Sequence, residues 1–271
     1  MYPVLFEFGS IFVSSVWILV SLGFLASGIM LVRLTEMKSM KMAFLVKNFF
    51  TILIWGIISG RVLYILMNIH DIFANPVWSA PARMVGIWGD RGFEFWGVVI
   101  GIFVYLYLAA KKAGENTWRW LDIMTISILA GIPFGHFGAL LDGINFGSET
   151  DLPWGIIFET SSVPYTVPIH PTQIYALVYS IIIFGVLTYI FIKKPLKHDG
   201  DIALLATISY GIMRFAEEFV RGDEAITLFN INITYPIIII VVAIAGISLA
   251  IRYNRLTFLT KYYHEHHSKT H

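Results

Sequence analysis

The stretch Gly131–Tyr175 reads GIPFGHFGALLDGINFGSETDLPWGIIFETSSVPYTVPIHPTQIY, and it decides how the rest of the chain is interpreted. Its first part ends an apolar run and carries four small residues beside one histidine: Gly131, Gly135, Gly138, Ala139 and His136. Small residues let helix backbones approach closely inside a membrane, and an ionisable group at such a place indicates a functional site. A polar segment with three acidic residues follows, and His170-Pro171-Thr172-Gln173 opens the next apolar run.

The composition indicates a membrane protein before any motif is considered. Of the 271 residues, 57% are hydrophobic and 14% are charged, whereas about 25% are charged in a soluble domain. The mean hydropathy is +0.72. Cysteine is absent, which excludes a disulfide framework, a thiol nucleophile and a cysteine-based metal site. The net charge of +1 gives no reason to propose a nucleic acid partner.

Seven apolar runs approach the roughly 20 residues that a bilayer-spanning helix needs: 9–32, 43–67, 93–110, 120–143, 172–192, 201–220 and 234–252. They predict an all-α, polytopic membrane protein with about seven transmembrane helices. The first run lacks a basic start and a cleavage site, which favours a retained helix over a signal peptide. The fourth and sixth runs carry the most polar groups, so we expect them to face the protein interior.

Basic residues orient the chain. Fourteen of the 19 lysines and arginines follow the first, third, fifth and seventh runs. Because positive charge accumulates on cytoplasmic loops, the pattern predicts an N-terminus outside and a C-terminus in the cytoplasm. We expect a single integral membrane domain over 1–260 and a histidine-containing cytoplasmic tail over 261–271. Such a tail is more often solvated than metal-binding, and no metal site or cofactor is predicted.

An arginine-rich segment closes the sixth run. Arg214, Glu218 and Arg221 follow each other at spacings of four and three, which places them on one helix face. One interpretation is a buried ion pair that ties this helix to its neighbours. The other is a phosphate clamp, because a guanidinium offers phosphate oxygens a fork of donors. In that case Glu218 would hold one arginine and leave the other free.

Three further ionisable residues are candidates for function. Arg61 lies within an apolar run and needs a partner, for which Asp142, Glu218 and a lipid phosphate are open alternatives. His136, the only histidine inside an apolar run, is either a packing residue or a base active near neutral pH. His170 precedes Pro171, which fits a first helical turn, and Thr172 or Gln173 is the candidate cap of that helix.

These segments together resemble the prolipoprotein diacylglyceryl transferase family. Over about 200 residues, five segments are similar to family motifs in the same order: 60–64 to Ala-Arg-Leu-x-Tyr, 87–97 to a segment with Phe-His-Gly, 151–155 to Asp-Leu-Pro-Trp-Gly, 170–175 to His-Pro-Ser-Gln-Leu-Tyr, and 214–223 to Arg-Phe-x-x-Glu-Phe-x-Arg-x-Asp.

The chain departs from the family in its signature. Where the family has Gly-Arg-x-Gly-Asn-Phe-x-Asn-Gly-Glu, residues 135–144 keep the glycines and replace the other groups. His136 stands for the arginine, Ala139 and Asp142 for the asparagines and Ile144 for the glutamate; Trp96 stands for the histidine of Phe-His-Gly.

The resemblance implies a reaction in which the cysteine thiol of a lipoprotein precursor attacks the glyceryl carbon of phosphatidylglycerol and glycerol phosphate leaves. In that reaction Arg214 would stabilise the charge that develops on the phosphate. His136 would take the thiol proton or, when protonated, replace the lost arginine, unless Asp142 pairs with it. The implied phospholipid-binding residues are Arg61, Asp142, His170, Gln173, Glu218 and Arg221.

Two functions therefore stay open. The first is a divergent transferase of the bacterial inner membrane that acts on phosphatidylglycerol, or another anionic phospholipid, and a lipoprotein precursor. The second is a non-catalytic relative that binds lipid as a scaffold or belongs to a larger complex with membrane protein partners. A transporter is less favoured, because the sequence has neither paired broken helices nor repeated halves.

Overall fold

The structure is a computed structural model that describes residues 4–8, 11–74, 84, 92, 94–158, 163–194, 196–223, 227–228, 231–232 and 234–253. The helices in these ranges are α1 (Ser15–Met37), α2 (Met42–Met67), α3 (Ile69–Ala74), α4 (Phe95–Ala113), α5 (Thr117–Asp142), α6 (Thr172–Lys193), α7 (Asp201–Glu218) and α8 (Thr234–Arg252). Two short antiparallel hairpins join β1 (Val4–Phe8) to β2 (Ile11–Ser14) and β3 (Thr227–Leu228) to β4 (Ile231–Asn232).

Six of these helices are long and apolar enough to cross a membrane: α1, α2, α4, α5, α6 and α8. The predicted all-α, polytopic fold is confirmed. The remaining predicted run forms α7, whose 18 residues include four charged side chains, Asp201, Arg214, Glu217 and Glu218. The orientation of the termini and the single domain over 1–260 stay predictions, and the tail over 261–271 lies outside the described residues.

Helix α5 is the most enclosed of the six candidate spans. Half of the residues in its apolar window are buried, against 6% for α8. Its buried side chains include the large Trp120 and Ile126 as well as polar Thr125 and Ser127. The predicted interior position of the fourth run is therefore confirmed.

The chain divides into two compact units, of which one comprises Val32–Met124. Glycines let α2 and α4 pack closely in this unit. A Cβ built on Gly101 would lie 2.8 Å from the carbonyl oxygen of Trp55, and one built on Gly97 would lie 2.6 Å from that of Ser59. The Tyr105 hydroxyl donates a hydrogen bond to Asn48 Oδ1 at 2.7 Å across the same pair of helices.

The other unit comprises Met1–Leu31 and Thr125–His271. Here Gly23 of α1 and Gly131 of α5 meet backbone to backbone. A Cβ on Gly131 would lie 2.7 Å from the Gly23 carbonyl oxygen, and one on Gly23 would lie 2.8 Å from that of Gly131. Pro133 follows inside α5, where it removes a helical hydrogen bond. The close backbone approach that the small residues predict is found at Gly131, whereas a Cβ on Gly135 would meet nothing within 4 Å.

The long connection between α5 and α6 is fastened to the exit of α7. The amide of Gly222 donates to the Phe146 carbonyl at 3.0 Å, and that of Ser148 donates to the Val220 carbonyl at 2.9 Å. The amide of His170 in turn donates to the Ser148 carbonyl at 2.9 Å. These bonds therefore hold residues 146–148 between the exit of α7 and the entrance of α6.

Candidate functional site

Arg214 and Glu218 form an ion pair in the last turns of α7. Arg214 Nη1 lies 2.5 Å from Glu218 Oε2, and the two side chains are 16% and 5% exposed. This is the only hydrogen bond that Arg214 makes to the described residues. Because a guanidinium carries five N–H donors, the arginine is oriented by its partner and keeps donors for a ligand.

Arg221 does not share the helix face of Arg214, so that prediction is wrong. Helix α7 ends at Glu218, and the backbone of Arg221 pairs with that of Gly147 in the α5–α6 connection. These backbone bonds draw the chain out of the helix before Arg221 is reached.

Arg221 has a carboxylate partner of its own. Its Nε donates to Asp223 Oδ1 at 2.7 Å, and its Nη2 contacts Asp223 Oδ2. The prediction that Glu218 holds one arginine is therefore confirmed for Arg214, whereas the prediction that the other arginine stays free is wrong. Burial lowers the pKa of Arg221, but bonding and attraction to Asp223 outweigh it and hold the pKa above its ordinary value.

His136 projects from α5 onto α7. Its Nε2 lies 3.3 Å from the hydroxyl of Tyr210. The charges of Arg214 and Arg221 are both close enough to act on this histidine. Asp142, the predicted alternative partner, makes no side-chain hydrogen bond or ion pair within the described part of the chain, so no bond to His136 is seen there.

Three residues of the site were missed by the sequence reasoning: Tyr179, Tyr210 and Glu217. The Tyr179 hydroxyl donates to Glu217 Oε2 at 2.7 Å. Tyr179 and Tyr210 share a side-chain hydrogen bond, and their rings meet edge to face at 5.4 Å. A signal for them was present, because Tyr210, Arg214 and Glu217 follow at spacings of four and three on one face of α7.

The entrance of α6 holds His170 and Gln173. Gln173 Nε2 donates to the Ile144 carbonyl at 2.8 Å, and Thr172 Oγ1 donates to the Asn145 carbonyl at 2.7 Å. The N-cap of α6 is Pro171 and no side chain caps the helix, so the predicted cap by Thr172 or Gln173 is wrong. Both side chains instead hold the chain that leaves α5.

His170 lies against an aromatic pair. Its Nδ1 is 3.3 Å from the Tyr175 hydroxyl, which also accepts a hydrogen bond from Trp154 Nε1 at 2.7 Å. The indole of Trp154 is mostly exposed. His170 is therefore oriented by the α6 side of the connection.

Arg61 belongs to the Val32–Met124 unit and binds backbone carbonyls there. Its Nε donates to Met84 O at 2.8 Å and its Nη1 to Gly92 O at 2.6 Å. The guanidinium carbon also lies 4.9 Å from the centre of the Tyr64 ring. Of the residues that the structure describes, no three His, Asp or Glu side chains are grouped in a way that could hold a metal ion.

Comparison with known proteins places this chain in a family. The sequence model of the family described as prolipoprotein diacylglyceryl transferase matches residues 3–251. The chain belongs to this family. Several curated relatives are 31–34% identical to this chain.

The relatives share one description, phosphatidylglycerol–prolipoprotein diacylglyceryl transferase. The protein from Clostridium tetani is 31% identical over 225 residues, which cover 82% of this chain and 86% of the relative. The protein from Campylobacter lari is 34% identical over 169 residues, 62% of this chain and 57% of the relative. The protein from Mannheimia succiniciproducens is 31% identical over 169 residues, which cover 62% of this chain and 59% of the relative. Against the last two, the matched part spans less than two thirds of the relative.

Family membership and six apolar helices make the chain a multi-pass protein of the bacterial cytoplasmic membrane. The comparisons favour the transferase over a non-catalytic scaffold. Two of the positions that depart from the family signature have a structural role. Ala139 is buried, and Ile144 offers its carbonyl to Gln173 while its side chain is partly exposed.

Proposed function

We propose that this protein transfers the diacylglyceryl group of phosphatidylglycerol to the cysteine thiol of a lipoprotein precursor. The observation that carries the proposal is Arg214, which Glu218 holds at 2.5 Å while the remaining guanidinium donors make no hydrogen bond to the described residues. The curated relatives are named for both of these substrates. Arg214, Glu218 and His136 lie in the unit that comprises Met1–Leu31 and Thr125–His271.

Arg214 is the proposed partner of the phosphate. In the reaction the bond from the glyceryl carbon to the phosphate oxygen breaks, and glycerol phosphate gains one negative charge. A preoriented cation beside that oxygen stabilises the transition state more than the ground state. The charge of Arg221 also acts on His136, and Asp223 keeps Arg221 in place.

His136 is the proposed acceptor of the thiol proton. A thiolate is the nucleophilic form of cysteine, and this chain has no cysteine of its own, so the thiol comes from the precursor. A neutral imidazole can take that proton near neutral pH. The imidazole lies within hydrogen-bonding distance of Tyr210, which orients the ring.

The remaining predicted residues are proposed to hold the phospholipid. Asp142 has no hydrogen-bond partner among the described residues, and a carboxylate there can accept hydrogen bonds from glycerol hydroxyls. His170 and Gln173 line the same connection. Arg61 is proposed to contact phospholipid within its own unit, where it bonds the carbonyls of Met84 and Gly92.

The test measures diacylglyceryl transfer to a peptide with a lipobox cysteine, using purified protein in phosphatidylglycerol micelles. Arg214→Ala should lower the rate by about 100-fold or more, the usual loss when an oriented donor to a transition-state charge is removed. Arg33→Ala is the matched control, because Arg33 is exposed on α1 and should leave the rate unchanged. Equal rates in both variants would overturn the role of Arg214, and an inactive, folded wild type would overturn the proposed function.

A further inference from the structure

Four side chains from three helices form one chain of hydrogen bonds. His136 Nε2 of α5 lies 3.3 Å from the hydroxyl of Tyr210 in α7. Tyr210 is bonded to Tyr179 of α6, and the Tyr179 hydroxyl lies 2.7 Å from Glu217 Oε2 in α7. The chain thus connects an imidazole to a carboxylate through two phenols, each of which can donate and accept.

The two ends of this chain differ in accessibility. His136 is half-buried, whereas Tyr179 is 5% exposed and Glu217 is 8% exposed. A proton can therefore enter the chain from a bound substrate at the imidazole, and it has no comparable exit to solvent at the carboxylate.

The carboxylate end faces several charges. Arg214, Arg221 and Glu218 all act electrostatically on Glu217. Arg214 and Arg221 each have a carboxylate partner already, in Glu218 and Asp223. A charged Glu217 is therefore a surplus negative charge in a site that is proposed to bind phosphate.

We propose that His136, Tyr210, Tyr179 and Glu217 form a proton relay that stores the proton of the substrate thiol on Glu217 during transfer. The inference rests on the proposed function and extends it to three residues that the sequence reasoning did not assign. Tyr210, Tyr179 and Glu217 act through His136, so they are positioning and proton-carrying residues.

The directions of the hydrogen bonds follow from the single proton on each phenol. Because Tyr179 donates to Glu217, its oxygen accepts from Tyr210. Tyr210 then has no proton left for the histidine, so His136 Nε2 carries hydrogen and donates. This tautomer leaves Nδ1 of His136 as the acceptor that faces a substrate proton.

The transfer of one proton is balanced along this chain. The thiol proton moves to His136 Nδ1, the Nε2 proton to Tyr210, the Tyr210 proton to Tyr179 and the Tyr179 proton to Glu217. The thiolate then forms the carbon–sulfur bond as the carbon–oxygen bond to phosphate breaks. The stored proton returns by the reverse path to the departing glycerol phosphate, whose second charge makes it a proton acceptor.

Storage on Glu217 is linked to the charge on the leaving group. A neutral Glu217 makes the surroundings of Arg214 and Arg221 more positive by one charge while the phosphate gains a negative one. The family motif leaves the position of Glu217 unspecified, and its signature has arginine where this chain has His136. The relay therefore gives a role to the departure at His136 and to Glu217, a position that the motif does not specify.

The test compares the dependence of kcat on pH for wild type, Tyr179→Phe and Glu217→Gln. Each variant should lower kcat by about 10- to 100-fold near pH 7, within the contribution of general acid–base groups. The loss should shrink as pH rises toward the thiol pKa of about 8.5, where the substrate ionises by itself, and KM for phosphatidylglycerol should not change. Matched controls are Tyr189→Phe, an exposed tyrosine of the same helix as Tyr179, and Glu36→Gln, an exposed glutamate of α1.

The outcomes separate the relay from the proposed function. Active wild type with both variants equal to it at every pH overturns the relay alone, and so does a loss that is the same at every pH. Folded but inactive wild type overturns the proposed function, and the relay with it. If Tyr179→Phe does not fold, infrared spectra test the relay instead. The protonated-carboxyl band of Glu217 is identified by its loss in Glu217→Gln, and in His136→Asn this band should appear at a different pH than in wild type. The same pH in both proteins would reject the relay.

Discussion

The two ends of α7 each bury a carboxylate, and they satisfy it differently. Asp201 at the start accepts hydrogen bonds from the Tyr253 hydroxyl at 2.7 Å, the His198 amide at 3.3 Å and Arg252 Nη1 at 3.3 Å. Glu217 near the end accepts one, from Tyr179, among the residues that the structure describes. A carboxylate with both oxygens bonded and an arginine beside it is a fixed anchor. One that is bonded by a single phenol retains an oxygen that can take up a proton.

The largest effect on stability is expected at the anchored end. Asp201→Ala should lower the free energy of unfolding by about 3–5 kcal/mol, because it removes a fully buried carboxylate that bonds the Tyr253 hydroxyl, the His198 amide and Arg252. Glu217→Gln should cost less than about 1 kcal/mol, because the amide keeps the shape and still accepts from Tyr179.

Denaturation in detergent micelles measures both variants against wild type. If Glu217→Gln lowers the free energy of unfolding as much as Asp201→Ala does, the proposed difference between the two ends of α7 is contradicted. It is sharpened if Asp201→Ala, once folded, retains the transfer rate of wild type while Glu217→Gln does not.

A smaller effect is expected from the backbone contacts that place Arg221. Gly222→Ala would put a methyl group against the Gly147 carbonyl oxygen and 2.8 Å from the Ser148 nitrogen, where only backbone could move aside. It should cost about 1–3 kcal/mol of stability and should lower the transfer rate by displacing Arg221.

Gly185→Ala is the control for that variant. Its Cβ meets nothing within 4 Å inside α6, and alanine favours helix over glycine by about 1 kcal/mol. If Gly222→Ala changes neither the stability nor the transfer rate, the Gly147 contact does not position the end of α7. Thermal unfolding and transfer rates, recorded on the same preparations, give both quantities.

The smallest effect is expected at Tyr253. Its hydroxyl donates to the Asp201 carboxylate, and this bond raises the pKa of Tyr253 above its ordinary value. The neutral phenol is thus favoured in the folded state. Its stabilisation is complete below the ordinary pKa of about 10 and is lost as pH rises through the higher folded pKa.

Tyr253→Phe should accordingly cost about 1 kcal/mol at neutral pH, and the difference from wild type should vanish in alkali. Unfolding curves from pH 7 to strongly alkaline conditions measure it, with Tyr189→Phe as the exposed tyrosine control. A difference that persists unchanged in alkali would contradict the bond to Asp201.

Features that depend on local pattern could be predicted from the sequence. Apolar length predicts seven spans, six of which are confirmed, and the density of polar groups correctly marks α5 as an interior helix. The ion pair of Arg214 and Glu218 follows from their spacing of four. The close approach at Gly131 follows from the small residues around it.

Features that depend on distant pairing could not be predicted. Tyr179 and Glu217 are 38 residues apart, and His136 and Tyr210 are 74 apart, so no spacing in the sequence connects them. Helical spacing puts Arg221 on the α7 face, but the helix ends at Glu218 and the backbone of Arg221 pairs with that of Gly147 instead. Thr172 looked like a cap and instead binds the Asn145 carbonyl.

The hydrogen bond between Ser148 and Val220 also determines when, during synthesis of the chain, the site can form. The two residues are 72 positions apart, so a ribosome that adds about 5–20 residues per second needs roughly 4–14 s to make the second after the first. During that interval the connection after α5 lacks the backbone it binds, and Arg214 and Arg221 have not been made. The proposed site is therefore incomplete while most of the helices are already in the bilayer, and it is complete only when the last third of the chain has been inserted.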